Sequence, residues 1–257
     1  MLLVLGCGGL VACGNSSAEA SRTRADDPYE EVLELYYEAG QLRQTDREAF
    51  RQLMDEAAPP YNTLPWSIIH PYWADDSSKD LLSGIGYARQ DLNGDGLDEL
   101  LLGWIGNELW NLEEGYVFAV YTILDGEPTL AVEGWERCRY VLCEDGTLCC
   151  ERSDGAFEGS CIRYRFPEAR NSPNPDGGSL SLEPVEAIWH GWNEEAQSNC
   201  YVYSSDPAEI QDSPSPAKYS EWMDLDDAER QIEGWMNAGM RIHAIPLAEY
   251  QTEAERK

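Results

Sequence analysis

Apolar residues near the start of the chain recur at intervals of three and four, the spacing that predicts amphipathic helices. The first such run follows Asp27 and Pro28, a capping residue and a first-turn proline. A second run begins at Thr45, whose capping box closes with Glu48. We expect the tyrosine-rich stripe of the first helix to pack into the core rather than to carry a ligand. The apolar positions of the two runs are Tyr29, Val32, Leu33, Tyr36, Tyr37, Phe50, Leu53, Met54 and Ala57.

Beyond residue 84 the apolar runs become shorter and are separated by Asp-Gly turns, which is typical of strands joined as hairpins. Predicted strands cover residues 84–90, 99–104, 116–124, 128–132, 137–143, 147–152, 161–166, 179–190, 199–203 and 240–247, and a last helix covers 226–238. The predicted fold class is α+β: a mainly antiparallel, meandering sheet with N-terminal helices and one C-terminal helix. We expect one domain over residues 26–250, followed by a frayed tail at 251–257.

One polar stretch between two predicted strands carries the most specific chemistry in the chain. Residues 91–99 read Asp-Leu-Asn-Gly-Asp-Gly-Leu-Asp-Glu, so oxygen-bearing side chains stand at loop positions one, three, five and nine. The two glycines allow the positive φ values that a tight curl requires. Such a set of side-chain oxygens, together with a backbone carbonyl, matches the flexible oxygen shell that calcium prefers. The predicted calcium ligands are Asp91, Asn93, Asp95, the carbonyl of Leu97 and Glu99.

The residues around this loop distinguish it from a helix–loop–helix EF-hand. That motif has a bidentate Glu at position twelve, where this chain has Leu102. Because both flanking segments read as extended, the loop resembles the Asp-x-Asn-Gly-Asp-Gly calcium hairpins of integrin-type FG-GAP repeats. The chain contains one such loop, and no sequence period of roughly 20–50 residues repeats along it. The resemblance therefore does not imply a propeller. Two alternatives stay open: a tight turn without metal, and another hard cation such as magnesium.

An uncharged apolar run at residues 1–12 predicts a signal peptide. The run is shorter than the roughly 20 residues of a membrane-spanning helix. Its end, Leu10-Val11-Ala12-Cys13, resembles the lipobox of bacterial lipoproteins, although no Lys or Arg precedes the run. The resemblance implies a lipidated Cys13, a flexible tether at 13–25 and an extracytoplasmic protein anchored to the bacterial cell membrane. The alternative interpretation is a buried strand with an incidental cysteine.

The charge of the chain limits its partners. It has 48 acidic and 18 basic side chains, a formal net charge of −30. Such a surface repels phosphate backbones, so we expect no nucleic-acid partner. It attracts cations instead, and calcium bound to the loop should therefore stabilise the fold.

Of the eight cysteines, Cys7 lies in the predicted leader and Cys13 is the predicted lipidation site, which leaves six, at positions 138, 143, 149, 150, 161 and 200. An even number in an exported chain is compatible with disulfides, but their pairing does not follow from the sequence. Thiols and a metal site are the alternatives, although the Cys-x-x-Cys pairs typical of zinc sites are absent here. Cys149 and Cys150 cannot point to the same face of a strand, because successive side chains alternate.

Over about half of its length the chain resembles uncharacterised exported lipoproteins of gut Firmicutes. The resemblance covers the two tyrosine-rich helices, Gly86-Tyr87-Ala88 leading into the loop, and the Tyr121-Thr122 strand with its Asp-Gly turn. It implies an extracytoplasmic location and calcium binding, and it carries no known activity.

The sequence favours a binding module over an enzyme. The motifs of serine hydrolases, zinc proteases, P-loop proteins and dinucleotide-binding proteins are all absent. Its histidines, His70, His190 and His243, read as packed or surface residues. A pair of glycosidase carboxylates is not identifiable among 48 acidic residues.

Nine tryptophans suggest a platform that stacks on sugars, although burial in the core is the alternative. The candidate clusters are Trp66 with Trp73, and Trp189 with Trp192 beside His190. The predicted function is therefore a calcium-stabilised surface lipoprotein that binds a glycan or protein ligand. A carboxylate-dependent glycoside hydrolase and a structural envelope component are the alternatives.

Overall fold

The computed structural model describes residues 27–57, 80–106, 111–124, 126–134, 137–153, 155, 158–167, 182–193, 198–206 and 223–250. Several predicted features lie outside these residues. They are the leader, the lipidated Cys13, the tether, the tail after residue 250, and Trp66, Trp73 and His70.

Two helices begin the described chain, as the apolar spacing predicts. Helix α1 spans Glu30–Thr45 and helix α2 spans Arg47–Ala57. The Asp27 carboxylate accepts the Tyr29 N–H at 2.9 Å, but Tyr29 occupies the capping position and the helix begins at Glu30, so the prediction of Asp27 as cap and Pro28 in the first turn was wrong. Tyr29 and Tyr36 are each 1% exposed, which confirms that the tyrosine stripe belongs to the core.

The start of α2 corrects the sequence prediction, which placed it at Thr45. The Asp46 carboxylate accepts the N–H groups of Glu48 and Ala49, both at 3.1 Å, so Asp46 caps this helix. The Thr45 hydroxyl instead donates to the Gln41 carbonyl, 2.8 Å away, within the last turn of α1.

Eleven strands and two further helices make up the rest of the described fold. A short helix, α3 (Leu81–Gly84), leads into the strands, and α4 (Leu225–Met236) follows most of them. The strands are β1 (Ile85–Gln90), β2 (Glu99–Trp104), β3 (Tyr116–Val117), β4 (Ala119–Leu124), β5 (Glu127–Glu133), β6 (Cys138–Leu142), β7 (Leu148–Ser153), β8 (Gly159–Arg165), β9 (Glu183–Asn193), β10 (Ser198–Ser204) and β11 (Ile245–Pro246). Single 3₁₀ turns cover Leu112–Glu114 and Leu247–Glu249.

The strands form two antiparallel sheets. The first has the order β11-β1-β2-β4-β5 and the second the order β10-β9-β8-β7-β6-β3. The second sheet runs as a meander from β6 to β10, with each of these strands hydrogen-bonded to its neighbour in the sequence. The fold is therefore mixed α+β and mostly antiparallel sheet, as predicted.

Alternation along the strands places apolar core residues on both faces of each sheet. Leu100 and Leu102 of β2 pack with α1 and α2, whereas Leu101 packs toward Leu142 and Leu148 of the second sheet. The opposite face of the second sheet packs against α4. The molecule therefore has four layers in this order: helices α1 and α2, the first sheet, the second sheet, and helix α4. Within the described residues no helix has both the length and the apolarity needed to cross a bilayer.

Two predicted strands are wrong in extent. The stretch 116–124 is divided at Phe118, where the chain leaves the second sheet and enters the first. The stretch 240–247 pairs only through Ile245 and Pro246, opposite Tyr87 and Gly86. Pro246 has no N–H to donate, so the ladder cannot continue through it.

Candidate calcium site

The predicted calcium loop closes the hairpin of β1 and β2. The register places Gln90 opposite Glu99, so residues 91–98 form the connection between the paired strands. Strand β2 is buried along its whole length, and β1 is buried except at Arg89 and Gln90, the two residues next to the loop. The extended flanks confirm the strand–loop–strand arrangement and exclude an EF-hand helix on either side.

Side-chain oxygens of the loop accept the loop's own N–H groups. Asp91 accepts from Gly94 at 2.8 Å and from Gly96 at 3.0 Å. The Asn93 side-chain oxygen accepts the Asp95 N–H at 3.0 Å. These contacts require the chain to curl, and the two glycines have φ values of 76° and 82°, which favour residues without a Cβ atom.

The remaining predicted ligands follow the same curl. The Asp95 carboxylate accepts the Leu97 N–H at 2.8 Å. Asp91, Asn93, Asp95 and Leu97 are all partly exposed, so ions in solvent can reach them. The structure thus brings the predicted loop ligands onto one short curl of the backbone.

Glu99 differs from the other loop residues because it is only 1% exposed. One of its oxygens accepts the Leu92 N–H at 2.8 Å. The other accepts the Asn93 side-chain N–H at 3.2 Å and the Thr122 hydroxyl at 3.0 Å. A buried carboxylate is tolerated only when it is hydrogen-bonded in this way.

These surroundings leave an excess of negative charge at the base of the loop. Burial raises the pKa of Glu99, and the nearby charges of Asp95 and Asp91 raise it further. Burial also raises the pKa of the Tyr29 hydroxyl, and the charge of Glu99 adds to this effect. A cation among these carboxylates would lower the free energy of their charged forms.

Helix α1 supports the loop from the side. The Tyr29 hydroxyl donates to the Asp98 carbonyl at 3.0 Å, across 69 positions of sequence. Arg89 lies over the Tyr29 ring, 5.3 Å from the ring centre, and forms an ion pair with Asp27. The residues just before α1 therefore hold one strand of the hairpin and the end of its loop.

The chemistry of the loop fits a hard cation. Three carboxylates, one amide oxygen and one backbone carbonyl are the ligand types that calcium takes. Within the described residues, however, no three His, Cys, Asp or Glu side chains already gather as metal ligands. To bind calcium, Asp91 and Asp95 would turn oxygens from N–H groups toward the ion while the glycines keep the loop curled.

Two residues of this site, Thr122 and Tyr29, were missed by sequence reasoning. Thr122 lies on β4, two strands away from the start of the loop, and Tyr29 precedes α1. Both contacts depend on tertiary packing. The only local signal was a polar threonine inside an apolar strand, and it does not identify Glu99 as its partner.

Of the two predicted aromatic clusters, the structure describes the one with Trp189, His190 and Trp192. Trp189 is 2% exposed and belongs to the core, which is the alternative that the sequence left open, so it is not part of a surface platform. Trp192 is 43% exposed, and the His190 ring packs against Tyr201 with 5.7 Å between ring centres. Tyr203, on the same strand as Tyr201, is 41% exposed. Trp192, His190, Tyr201 and Tyr203 share one face of β9 and β10, and we call them the aromatic face.

No protein-family model, curated protein or solved structure matches this chain.

Proposed function

We propose that the protein is a calcium-stabilised extracytoplasmic lipoprotein that binds a glycan or protein ligand. The observation that carries the calcium part is the placement of Glu99. Burial of its carboxylate raises its pKa, and the charges of Asp95 and Asp91 raise it further. Calcium neutralises this repulsion, because all three groups are oxygen ligands of the type it prefers.

Calcium is expected to act on the stability of the fold. The loop connects two buried strands, and its last predicted ligand is the first residue of β2. An ion that binds only the folded loop stabilises it by about 2.7 kcal/mol at a concentration 100-fold above its Kd. For a chain of this size, that corresponds to a rise in Tm of roughly 5–10 °C.

Thermal unfolding with calcium and with a chelator tests this part of the proposal. We expect calcium to raise the Tm of the wild-type chain and Asp95→Ala to abolish the rise. Asp98→Asn is the matched control, because the Asp98 side chain is exposed and only its carbonyl contacts Tyr29. Equal melting curves for the wild-type protein in calcium and in chelator would contradict the proposal.

The aromatic face is the surface that supports ligand binding. Exposed Trp and Tyr rings offer flat apolar area for stacking on sugars or on a protein partner. The Tyr203 hydroxyl also donates to Glu186 at 3.1 Å, which places a carboxylate beside the rings. Such a mixture of apolar and acceptor groups suits a polyhydroxylated ligand.

Affinity electrophoresis through gels containing soluble polysaccharides tests the ligand class. We expect Trp192→Ala to lose any retardation that the wild-type chain shows. Ile245→Ala is the control, because Ile245 is a partly exposed apolar residue on the other sheet. Equal retardation of both variants would remove the aromatic face from the proposal.

The cavity next to β3 gives the glycoside hydrolase alternative no support. Its volume of about 10 Å³ has room for roughly one water molecule, and its described lining includes Trp104, Tyr116 and Arg139 but no Asp or Glu. A glycosidase site needs two carboxylates within roughly 5–9.5 Å of each other.

The lipid anchor rests on sequence alone, because Cys13 lies outside the described residues. Acyl chains on this cysteine would bind the membrane with about 0.8 kcal/mol for each buried CH₂ group. We expect Cys13→Ala to release the protein into the medium. Persistent membrane association of this variant would contradict lipidation at Cys13.

A further inference from the structure

Four of the buried cysteines lie in two close pairs. The sulphur atoms of Cys138 and Cys150 are 3.3 Å apart, and those of Cys149 and Cys161 are 3.1 Å apart. All four are at most 6% exposed. A disulfide bond is about 2.05 Å long, so each pair needs to close by only about 1.0–1.3 Å.

The strand register explains why these pairs form. Cys150 lies opposite Tyr140, two residues from Cys138 on β6, so Cys138 and Cys150 occupy one face of the sheet. In the same way Cys161 lies opposite Glu151, two residues along β7 from Cys149. The twist of antiparallel strands brings such diagonal neighbours together.

The two pairs lie on opposite faces of the second sheet. Cys149 packs under α4, where its thiol contacts the Met236 sulphur at 3.6 Å. Cys150 points to the other face, because successive residues of a strand alternate. One pair therefore joins β7 to β6 from one side, and the other joins β7 to β8 from the opposite side.

We propose that Cys138–Cys150 and Cys149–Cys161 are disulfide bonds of the mature protein and that Cys143 and Cys200 stay thiols. The two bonds would tie the three strands β6, β7 and β8 together through the adjacent residues 149 and 150. The arrangement excludes one metal ion shared by the four sulphur atoms, because the sheet itself separates the two pairs.

Cys143 and Cys200 have different partners. The Cys143 thiol contacts the carbonyls of Val141 and Trp235 at 3.7 and 3.6 Å. The Cys200 thiol contacts the Ser198 carbonyl at 3.4 Å. These sulphur–carbonyl contacts satisfy the two thiols without a second sulphur.

Each bond forms by exchange with an external organic disulfide. One cysteine thiolate attacks that disulfide, giving a mixed disulfide and releasing one thiol of the carrier. The second cysteine thiolate attacks the protein sulphur of the mixed disulfide and releases the other carrier thiol. The cysteine pair loses two electrons and two protons, and the carrier disulfide is reduced to two thiols.

Bond formation should precede final packing. In the folded dithiol form, hydrogen bonding to the partner thiol and burial raise the pKa of Cys149 and of Cys150. Thiolates, the reactive species, are therefore scarce once the sheet has closed. The exchange steps belong to the stage at which the hairpins are still open.

Peptide mapping without reduction tests the pairing. The full chain is folded with oxidised glutathione, alkylated in denaturant and digested with trypsin. Cleavage after arginine gives the cysteine peptides 138–139, 140–152 and 153–163. We expect these three peptides to stay linked as one cluster, while Cys200 is alkylated.

Single variants assign each bond within the cluster. Cys149→Ala should release peptide 153–163, with Cys161 alkylated, and should keep peptide 138–139 attached. Cys150→Ala should release peptide 138–139, with Cys138 alkylated, and should keep peptide 153–163 attached. Cys143→Ala should keep all three peptides linked. The opposite pattern of release would overturn the pairing. Alkylation of Cys138, Cys149, Cys150 and Cys161 in the unreduced wild-type chain would overturn the disulfides.

Partial reduction of the wild-type cluster gives the same assignment without a variant. When one bond is opened and its thiols are alkylated with a second reagent of different mass, fragmentation of peptide 140–152 locates this second label, because Cys143 already carries the first. We expect the species that keeps peptide 138–139 to carry the label on Cys149. A label on Cys150 in that species would contradict the proposal even if a variant failed to fold.

Discussion

The Thr122 hydroxyl donates to a carboxylate oxygen of Glu99 at 3.0 Å, and both residues are almost completely buried. Thr122 lies on β4 and Glu99 on the adjacent strand β2, so the contact joins the candidate calcium loop to the middle of the first sheet. This hydrogen bond is one of three that hold the buried carboxylate at the base of the loop.

Thr122→Val should destabilise the protein by about 1–3 kcal/mol, because a buried carboxylate loses a donor while the side-chain shape is kept. The decrease should be visible in urea unfolding in the presence of chelator. Thr122→Ser is the control, since it retains the hydroxyl. If both variants unfolded at the wild-type urea concentration, the hydrogen bond to Glu99 would have no role in stability.

Tyr29→Phe should lower the free energy of unfolding by about 1 kcal/mol, because it removes the hydrogen bond to the Asp98 carbonyl. It should also weaken calcium binding, since the end of the loop loses its contact with the start of α1. Tyr37→Phe removes a hydroxyl from a partly exposed position on α1 and should leave calcium affinity unchanged. Calcium titrations of the two variants would disagree with this account if they gave the same affinity.

The stability of the metal-free protein should depend on pH through Glu99. Because its pKa is raised in the folded state, the folded state binds this proton more tightly than the unfolded chain does. The stabilisation is complete below the ordinary Glu pKa and is lost as the pH rises through the raised pKa. Lowering the pH from about 7 to about 5 should therefore stabilise the wild-type chain relative to Glu99→Gln.

Calcium should reverse this pH dependence, because the ion binds the charged carboxylate and competes with the proton. Affinity should fall as the pH drops through the raised pKa of Glu99. Urea unfolding of wild type and Glu99→Gln, each with chelator and with calcium, measures both effects. If, in chelator, the free energies of unfolding of the two proteins differed by the same amount at every pH, Glu99 would have its ordinary pKa in the folded state.

The local features of the fold could be predicted from sequence because each has a local cause. The hairpin that holds the candidate calcium loop follows from apolar runs on either side of a glycine-rich polar stretch. The turn at Gly146 and its two flanking strands follow from the same kind of pattern. The opposite directions of Cys149 and Cys150 follow from strand alternation, and the two sulphur pairs confirm them.

The features that were missed depend on contacts between distant residues. The stretch 116–124 has a continuous strand-like pattern, and only the presence of two sheets divides it at Phe118. Thr45 and Asp46 are both suitable helix caps, so which of them caps α2 depends on where α1 ends. Trp189 and Trp192 lie three positions apart in one strand, so alternation places them on opposite faces, and the packing of the second sheet then buries one and exposes the other.

Calorimetric titration of calcium into the chelator-treated, folded chain tests the central claim most directly. The account predicts saturable binding at one site, lost in Asp95→Ala and retained in Asp98→Asn. An absence of binding heat for the wild-type chain at several temperatures, with no change in its melting curve, would contradict a calcium site at residues 91–99.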